Sequence, residues 1–288
     1  MKGEEVQQII ETMSNEDYHA ADGISASGLK LIGRSPLHYW AKYVDPNRVP
    51  DEPSAAFRLG TAIHCAVLEP ERFSTEYAVA PKVDRRTKDG KATWEAFETA
   101  CIAQGLTVIS KDDHDTCQAI SERLSKHPAA SVLFRTGVAE SSLFWQDAET
   151  GVLCKCRPDW LIQGVAIVDV KSTPDASVTG FARSVANYEY HVQAAWYLDG
   201  VRACLGPTAA SAFIFAAFEK DAPHAVAFYN ADADMIELGR REYRRRLQIY
   251  AACKRSDVWP GYPPEIASLS LPAWLIKAAN DNQPGPAA

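Results

Sequence analysis

The chain reads as an α/β protein, with a mixed central sheet flanked by helices and a helical region at the N-terminal side. Three observations predict this. The run Val165-Ala166-Ile167-Val168-Asp169-Val170-Lys171-Ser172 is apolar and β-branched, as a buried strand requires. Helical and strand-like patterns alternate on both sides of it. A chain of 288 residues with 47% hydrophobic content can enclose one large core.

The elements follow in order. Residues 4–13 read as a short helix. A second helix starts at 25–29, with Ser27 as N-cap, and runs through Lys30 and His38 toward Tyr43. Residues 45–53 form a Pro-rich loop. An apolar helix covers 57–68 and stops at Glu69-Pro70. Residues 81–91 are a charged, mobile loop, and helices follow at 92–103 and 112–126. Three consecutive strands cover 138–146, 152–162 and 165–172. Helices at 176–186 and 189–203 precede strands at 211–218 and 225–229. A long amphipathic helix spans 232–253, and the tail from Asn280 is expected to be disordered. The domain reading is an extension over 1–14, one domain over 15–255, and a C-terminal extension over 256–288.

Composition narrows the function. The net charge of −7 argues against coating nucleic acid through a broad basic field, though a basic channel on an acidic body is compatible with it. The seven cysteines form no CxxC pair, which points to reduced thiols rather than a zinc or iron–sulfur site. The N-terminus lacks a signal-peptide core, and the longest apolar run, 212–218, is too short for a bilayer. A soluble cytoplasmic protein without membrane contact is expected.

The chemistry centres on Pro158-Asp159 and Asp169-Val170-Lys171. On a strand, Asp169 and Lys171 share a face. Charges inside such an apolar run are unusual for a solvated strand. Two carboxylates can hold a divalent cation for phosphodiester hydrolysis, and an ammonium can stabilise the charge that develops on phosphorus. Other candidates are ambiguous alone. His64, in an apolar helix, is either a core histidine or a metal ligand. Glu140 opens the first strand. Gln193 and Tyr197 share a helix face, as ordinary packing would also produce.

As an ordered set, Gly60-x3-His64, Glu140, Pro158-Asp159, Asp169-x-Lys171 and Gln193-x3-Tyr197 resemble the PD-(D/E)XK nuclease superfamily. Within it the chain is similar to the exonuclease branch with the RecB-type nuclease domain, lambda exonuclease and exodeoxyribonuclease VIII. Tyr18-His19, the segment Gly23 to Lys30, and Ser35-Pro36-Leu37-His38-Tyr39-Trp40 most resemble the phage-type exodeoxyribonuclease VIII nuclease domain. The resemblance covers roughly residues 15–255 and implies a restriction-endonuclease-like core. It further implies metal-dependent digestion of linear duplex DNA from 5′ ends, in recombination or repair. Mg²⁺ is the expected cofactor, with Mn²⁺ as substitute and no iron–sulfur cluster. His64, Asp159 and Asp169 would be ligands, with the Val170 carbonyl adding an oxygen. Glu140 would be a supporting or second-metal carboxylate, Lys171 catalytic, and Gln193 and Tyr197 would position the strand or brace the site. A homo-oligomeric ring and a single-strand annealing partner are family expectations. Rival readings are a single-strand exonuclease or endonuclease of the same fold, and a catalytically silent DNA-binding module.

Candidate DNA contacts are Arg157, the loop residues Arg85, Arg86 and Lys88, and Ser25 and Ser27 at a helix N-terminus. The arginines at 240, 241, 244, 245 and 246 either pair with Glu237 and Glu242 or meet DNA or a subunit. Hairpin register supplies a sharp test. A two-residue loop at Gln163-Gly164 sets Asp159 opposite Val168, on the wrong face. Only a three-residue loop or a bulge, near Pro158 or Gly164, sets it opposite Asp169. The carboxylates must then lie within about 6 Å to share an ion.

Overall fold

The computed structural model of the chain describes residues 7–10, 13–49, 52, 54–271 and 273. The first half runs β1 (Gln7–Ile10), α1 (Asn15–Ala20), α2 (Ala26–Arg34), α3 (Pro36–Tyr43), α4 (Ala55–Leu68), α5 (Pro70–Glu76), β2 (Tyr77–Val79), α6 (Lys88–Gln104), β3 (Thr107–Ile109), α7 (Lys111–Ser125) and α8 (Pro128–Leu133). The second half runs β4 (Val138–Ala139), β5 (Ser142–Gln146), β6 (Leu153–Cys156), β7 (Trp160–Ile162), β8 (Val165–Thr173), α9 (Val178–Tyr188), α10 (Tyr190–Leu205), β9 (Ala210–Glu219), β10 (Val226–Asn230) and α11 (Ala233–Ser256).

The central sheet has the order β10-β9-β8-β7-β4 among the described residues, with β8 and β9 parallel and the other pairs antiparallel. A smaller sheet, β1-β5-β6, lies beside it, and β2 pairs with β3. The period of two along β8 divides the core. Ile167 joins Phe213 and Phe215 in a cluster with Val192, Trp196 and Leu247 of the C-terminal helices. Val168 and Val170 join Ala216 and Phe218 against Ile63 of α4 and Ile120 of α7. Burial of each such side chain contributes about 1.5–3 kcal/mol, so β8 is fixed on both faces. Asp169 and Lys171 therefore project, with Ile167, onto the α10 side.

Several local expectations are corrected. Gln7–Ile10 is a strand, not part of a helix over 4–13; it pairs with β5, Gln7 opposite Trp145 and Ile10 opposite Ser142, and that pairing overrides local propensity. Residues 4–6 and 11–12 lie outside the described residues. The helix expected toward Tyr43 breaks at Ser35, whose extended backbone (ψ 151°) is what a residue before proline favours. Ser25, not Ser27, caps α2, accepting from the Gly28 N–H at 3.3 Å. The charged loop is shorter than expected, because Thr87 caps α6 and puts Lys88 to Lys91 in its first turn.

Two expected strands are each split in two. Residues 138–146 divide at Glu140, whose φ is 51°, so β4 joins the central sheet and β5 the smaller one. Residues 152–162 divide at Arg157-Pro158-Asp159, where Pro158 has no N–H for a ladder. The expected tail from Asn280 lies outside the described residues. Among the described residues, no helix is long and apolar enough to cross a membrane.

Candidate metal centre

The β7–β8 hairpin has the parity that a shared site needs. Trp160 pairs with Val168, Leu161 with Ile167 and Ile162 with Ala166, which leaves a three-residue loop. Gly164 takes φ 79° in that loop, a conformation glycine adopts without a Cβ penalty. A register shift at Val165/Ala166 adjusts β8 against β9. One step beyond Trp160, the register sets Asp159 opposite Asp169, on one face.

The break after β4, the break before β7, strand β8 and helix α4 converge there. The donor atoms of His64, Glu140 and Asp159 lie within 4.8 Å of one another. His64, from α4, approaches Asp159, with Nδ1 3.5 Å from Oδ2. The Val170 backbone ties the hairpin together: its N–H donates to Asp159 Oδ2 at 2.7 Å. Glu140 is aimed by its left-handed backbone and by Arg157, whose Nε donates to its carboxylate at 2.7 Å.

Asp169 stands beside this triad with partners of its own. It is fully buried; Gln193 Nε2 donates to Oδ1 at 2.9 Å, and Lys171 Nζ lies 2.6 Å from Oδ2. At that distance the Lys171 ammonium is the charge-assisted partner of Oδ2. Tyr190, which the sequence did not single out, places its ring 5.1 Å from Lys171 Nζ.

Burial dominates the electrostatics. It pushes Asp169 up to about 6, with Lys171 opposing and Asp159 adding to the rise. Burial also raises Asp159, against Lys171 and the Val170 N–H. Glu140 is raised by burial and then by the Asp159 charge. His64 is lowered by burial and then by Lys171, which keeps the imidazole neutral and able to ligate. Burial opposes charge on Lys171 too, but Asp169 and then Asp159 more than offset it and hold the ammonium protonated.

These groups suit a hard divalent cation. Donors on opposite sides of one ion, at about 2.0–2.4 Å each, are about 4.0–4.8 Å apart. The triad has that span, mixes carboxylate oxygens with one imidazole, and has the Asp169 carboxylate next to it. The chemistry fits Mg²⁺ or Mn²⁺ without choosing between them. The triad opens into a cleft of about 430 Å³, lined also by Tyr18, Phe57, Gly60, Arg72 and Tyr197.

The remaining candidates sit elsewhere or are already engaged. Arg157 is buried, bonds Glu140 and Ser142, and itself lines the cleft. Arg85 stacks on Trp94 at 4.2 Å, and Arg86 pairs with Asp84. Neither these two nor Lys88 is among the residues lining the cleft. Ser25 and Ser27 bond each other at 2.9 Å and line a neighbouring groove. The arginine row of α11 is largely paired: Arg240 with Asp199 and Glu237, Arg244 with Asp147, Arg245 with Glu242, and Arg246 with Glu189. Spacing along α11 shows only Glu237 and Glu242, because the other partners come from distant elements.

Comparison with known proteins agrees with this architecture. A crystal structure named as a "Putative exonuclease" from Eubacterium rectale superposes with a TM-score of 0.59, covering 93% of this chain and 98% of that one at 17% identity. At that identity the likeness is one of fold. No curated protein sequence matches the chain. Residues 25–271 match the family model DUF3799, a PDDEXK-like domain of unknown function. That span takes in α2, the whole central sheet and every residue of the carboxylate cluster, and the chain belongs to this PDDEXK-like family.

Proposed function

We propose that this chain is a divalent-cation-dependent deoxyribonuclease, and that it digests linear duplex DNA as an exonuclease, from 5′ ends, in recombination or repair. The observation that carries the hydrolytic reading is the parity of the β7–β8 hairpin. It sets Asp159, which lines the cleft with His64 and Glu140, opposite the buried Asp169. A binding module gains nothing from burying three carboxylates and a lysine together, since each buried charge costs several kcal/mol before pairing.

Bound to His64, Glu140 and Asp159, with Asp169 and the Val170 carbonyl alongside, a divalent cation supplies Lewis-acid stabilisation of phosphoryl oxygens and a more acidic water. The chain's own residues do the rest. Lys171 remains cationic beside Asp169 and neutralises charge developing on the phosphoryl group. Gln193 fixes the Asp169 carboxylate, and Arg157 fixes Glu140. Tyr197 lines the cleft where a strand would enter.

Exonuclease action and its direction rest on the motif resemblance and on the likeness to a chain named a putative exonuclease. Residues 15–255 form the nuclease domain in this reading. A homo-oligomeric ring, an annealing partner and a cytoplasmic location belong to the same proposal. The test uses end-labelled linear duplex, linear single-stranded and closed circular DNA, with Mg²⁺, Mn²⁺ or chelator. Cation-dependent release of nucleotides from linear duplex, with circles spared, is the expected result. Cleavage of circles would make the protein an endonuclease; no cleavage under any condition would sink the hydrolytic reading.

A further inference from the structure

A second groove continues from the cleft. It encloses about 260 Å³ and is walled by Ser25, Lys30, Tyr188, Tyr190 and Gln193. Tyr18, His19 and Tyr197 line both spaces, so the groove adjoins the cleft at these side chains. The Tyr188 and Tyr190 rings stack here, with centroids 5.5 Å apart and planes inclined by 25°. The two rings differ in setting. Tyr190 is anchored against Phe181 and Phe215 and sits over Lys171, whereas Tyr188 is 52% exposed.

The corner that carries them is held from two sides. Glu189 adopts φ 57°, left-handed backbone that a non-glycine residue enters only when its surroundings enforce it. Arg246 of α11, 5% exposed, enforces it through two bonds to the Glu189 carboxylate, at 3.0 and 2.6 Å. Lys30 Nζ donates to the Tyr188 carbonyl at 3.2 Å. The Tyr188 ring stands half-exposed on this corner, stacked on Tyr190, with the Lys30 ammonium 5.7 Å from its centroid.

We infer that the Tyr188–Glu189–Tyr190 corner is a stacking platform for an unpaired nucleobase next to the scissile phosphate, with the Lys30 ammonium beside the sugar–phosphate chain. The inference rests on the nuclease reading and deepens it: the groove takes a single strand. A base can offer its face to a tyrosine only after leaving its own stack, so the last pair of a linear duplex must open before cleavage. Arg246 acts as a positioning residue, through Glu189.

The test separates the platform from the chemistry. Short single-stranded DNA with phosphorothioate linkages, carrying 2-aminopurine at successive positions, is titrated with the full chain in Ca²⁺. One position should be quenched. Tyr188→Ala should abolish that quenching and weaken binding about tenfold or more, while Tyr188→Phe restores both. With ordinary DNA and Mg²⁺, Tyr188→Ala should raise KM more than it lowers kcat. Quenching and affinity unchanged in Tyr188→Ala overturn the platform, whether or not the wild-type protein cleaves DNA. Tyr188-dependent quenching without cleavage in any cation upholds the platform and overturns the nuclease reading. No binding of the oligonucleotide overturns the platform as well.

Discussion

Buried carboxylates make the metal-free protein sensitive to pH, and Asp169 shows how strongly. Its carboxyl is fully buried and pushed up to about 6, mainly by loss of water, against an ordinary value of 3.8. The folded state thus holds this proton more tightly than the unfolded chain does. As pH rises above 3.8, the unfolded chain ionises first, and the folded state loses relative stability until pH passes about 6. Two pKa units at about 1.4 kcal/mol each make the full loss about 3 kcal/mol. Roughly half of it falls between pH 5 and pH 7.5. For a chain of this size that is about 2–3 °C in Tm. Thermal unfolding is followed in chelator across this range, for the wild type and for Asp169→Asn. The wild-type Tm should fall relative to the variant by that amount. Saturating Mg²⁺ should cancel most of the fall in the wild type, because the cation replaces the proton. A wild-type curve that tracks Asp169→Asn at every pH in chelator would refute the electrostatic reasoning. A Tm indifferent to Mg²⁺ and Mn²⁺ at pH 7.5 would refute the cation site.

Further outcomes are expected. Lys171→Met should lower kcat by about 100-fold or more while sparing cation binding by calorimetry, since it removes charge stabilisation rather than a ligand. Gln193→Ala frees Asp169 Oδ1 and should cost a smaller factor in kcat, with the circular dichroism spectrum unchanged. On the far side of α10, burial opposes a charge on Asp199, but hydrogen bonds from Arg240 and Tyr243 hold its carboxyl below the usual range. The stability this supplies is complete above pH 3.8 and lost as pH falls through the depressed value. Arg240→Met should therefore cost about 1–3 kcal/mol in urea unfolding at pH 7, a difference that narrows in acid. A Cβ at Gly239 would lie 2.0 Å from the His191 carbonyl oxygen. Gly239→Ala should push α11 off α10 and destabilise by about 1–3 kcal/mol.

Much of the site is legible in one dimension because its chemistry conflicts with its surroundings. Asp169 and Lys171 interrupt a run that hydrophobic burial alone would have kept apolar. The hairpin parity also follows from the sequence once a common face is required. A site shared by Asp159 and Asp169 forbids a two-residue loop, and the three-residue loop around Gly164 satisfies it. Long helices such as α7, α9, α10 and α11 start and end near the expected residues, since their caps and apolar periods are local properties.

Tertiary structure decided what depends on partners far apart in the chain. Whether Gln7–Ile10 is helix or strand was settled by the free edge of β5, which no local pattern reveals. The breaks at Glu140 and at Arg157-Pro158-Asp159 arise because one stretch of chain serves two sheets. The turn at Glu140 brings its carboxylate to His64 and Asp159, while Asp169 is drawn to Gln193 and Lys171. Arg157 reads as a free cation in sequence, but burial against Glu140 makes it a brace. Tyr190 shows no signal in sequence, because its part is set by the Glu189 corner and the distant Arg246. The sequence by itself determined which side chains carry charge into the core and on which parity of strand. Only the packed fold determined which of those charges face one another, because electrostatic partners are chosen by distance in space, not by separation along the chain.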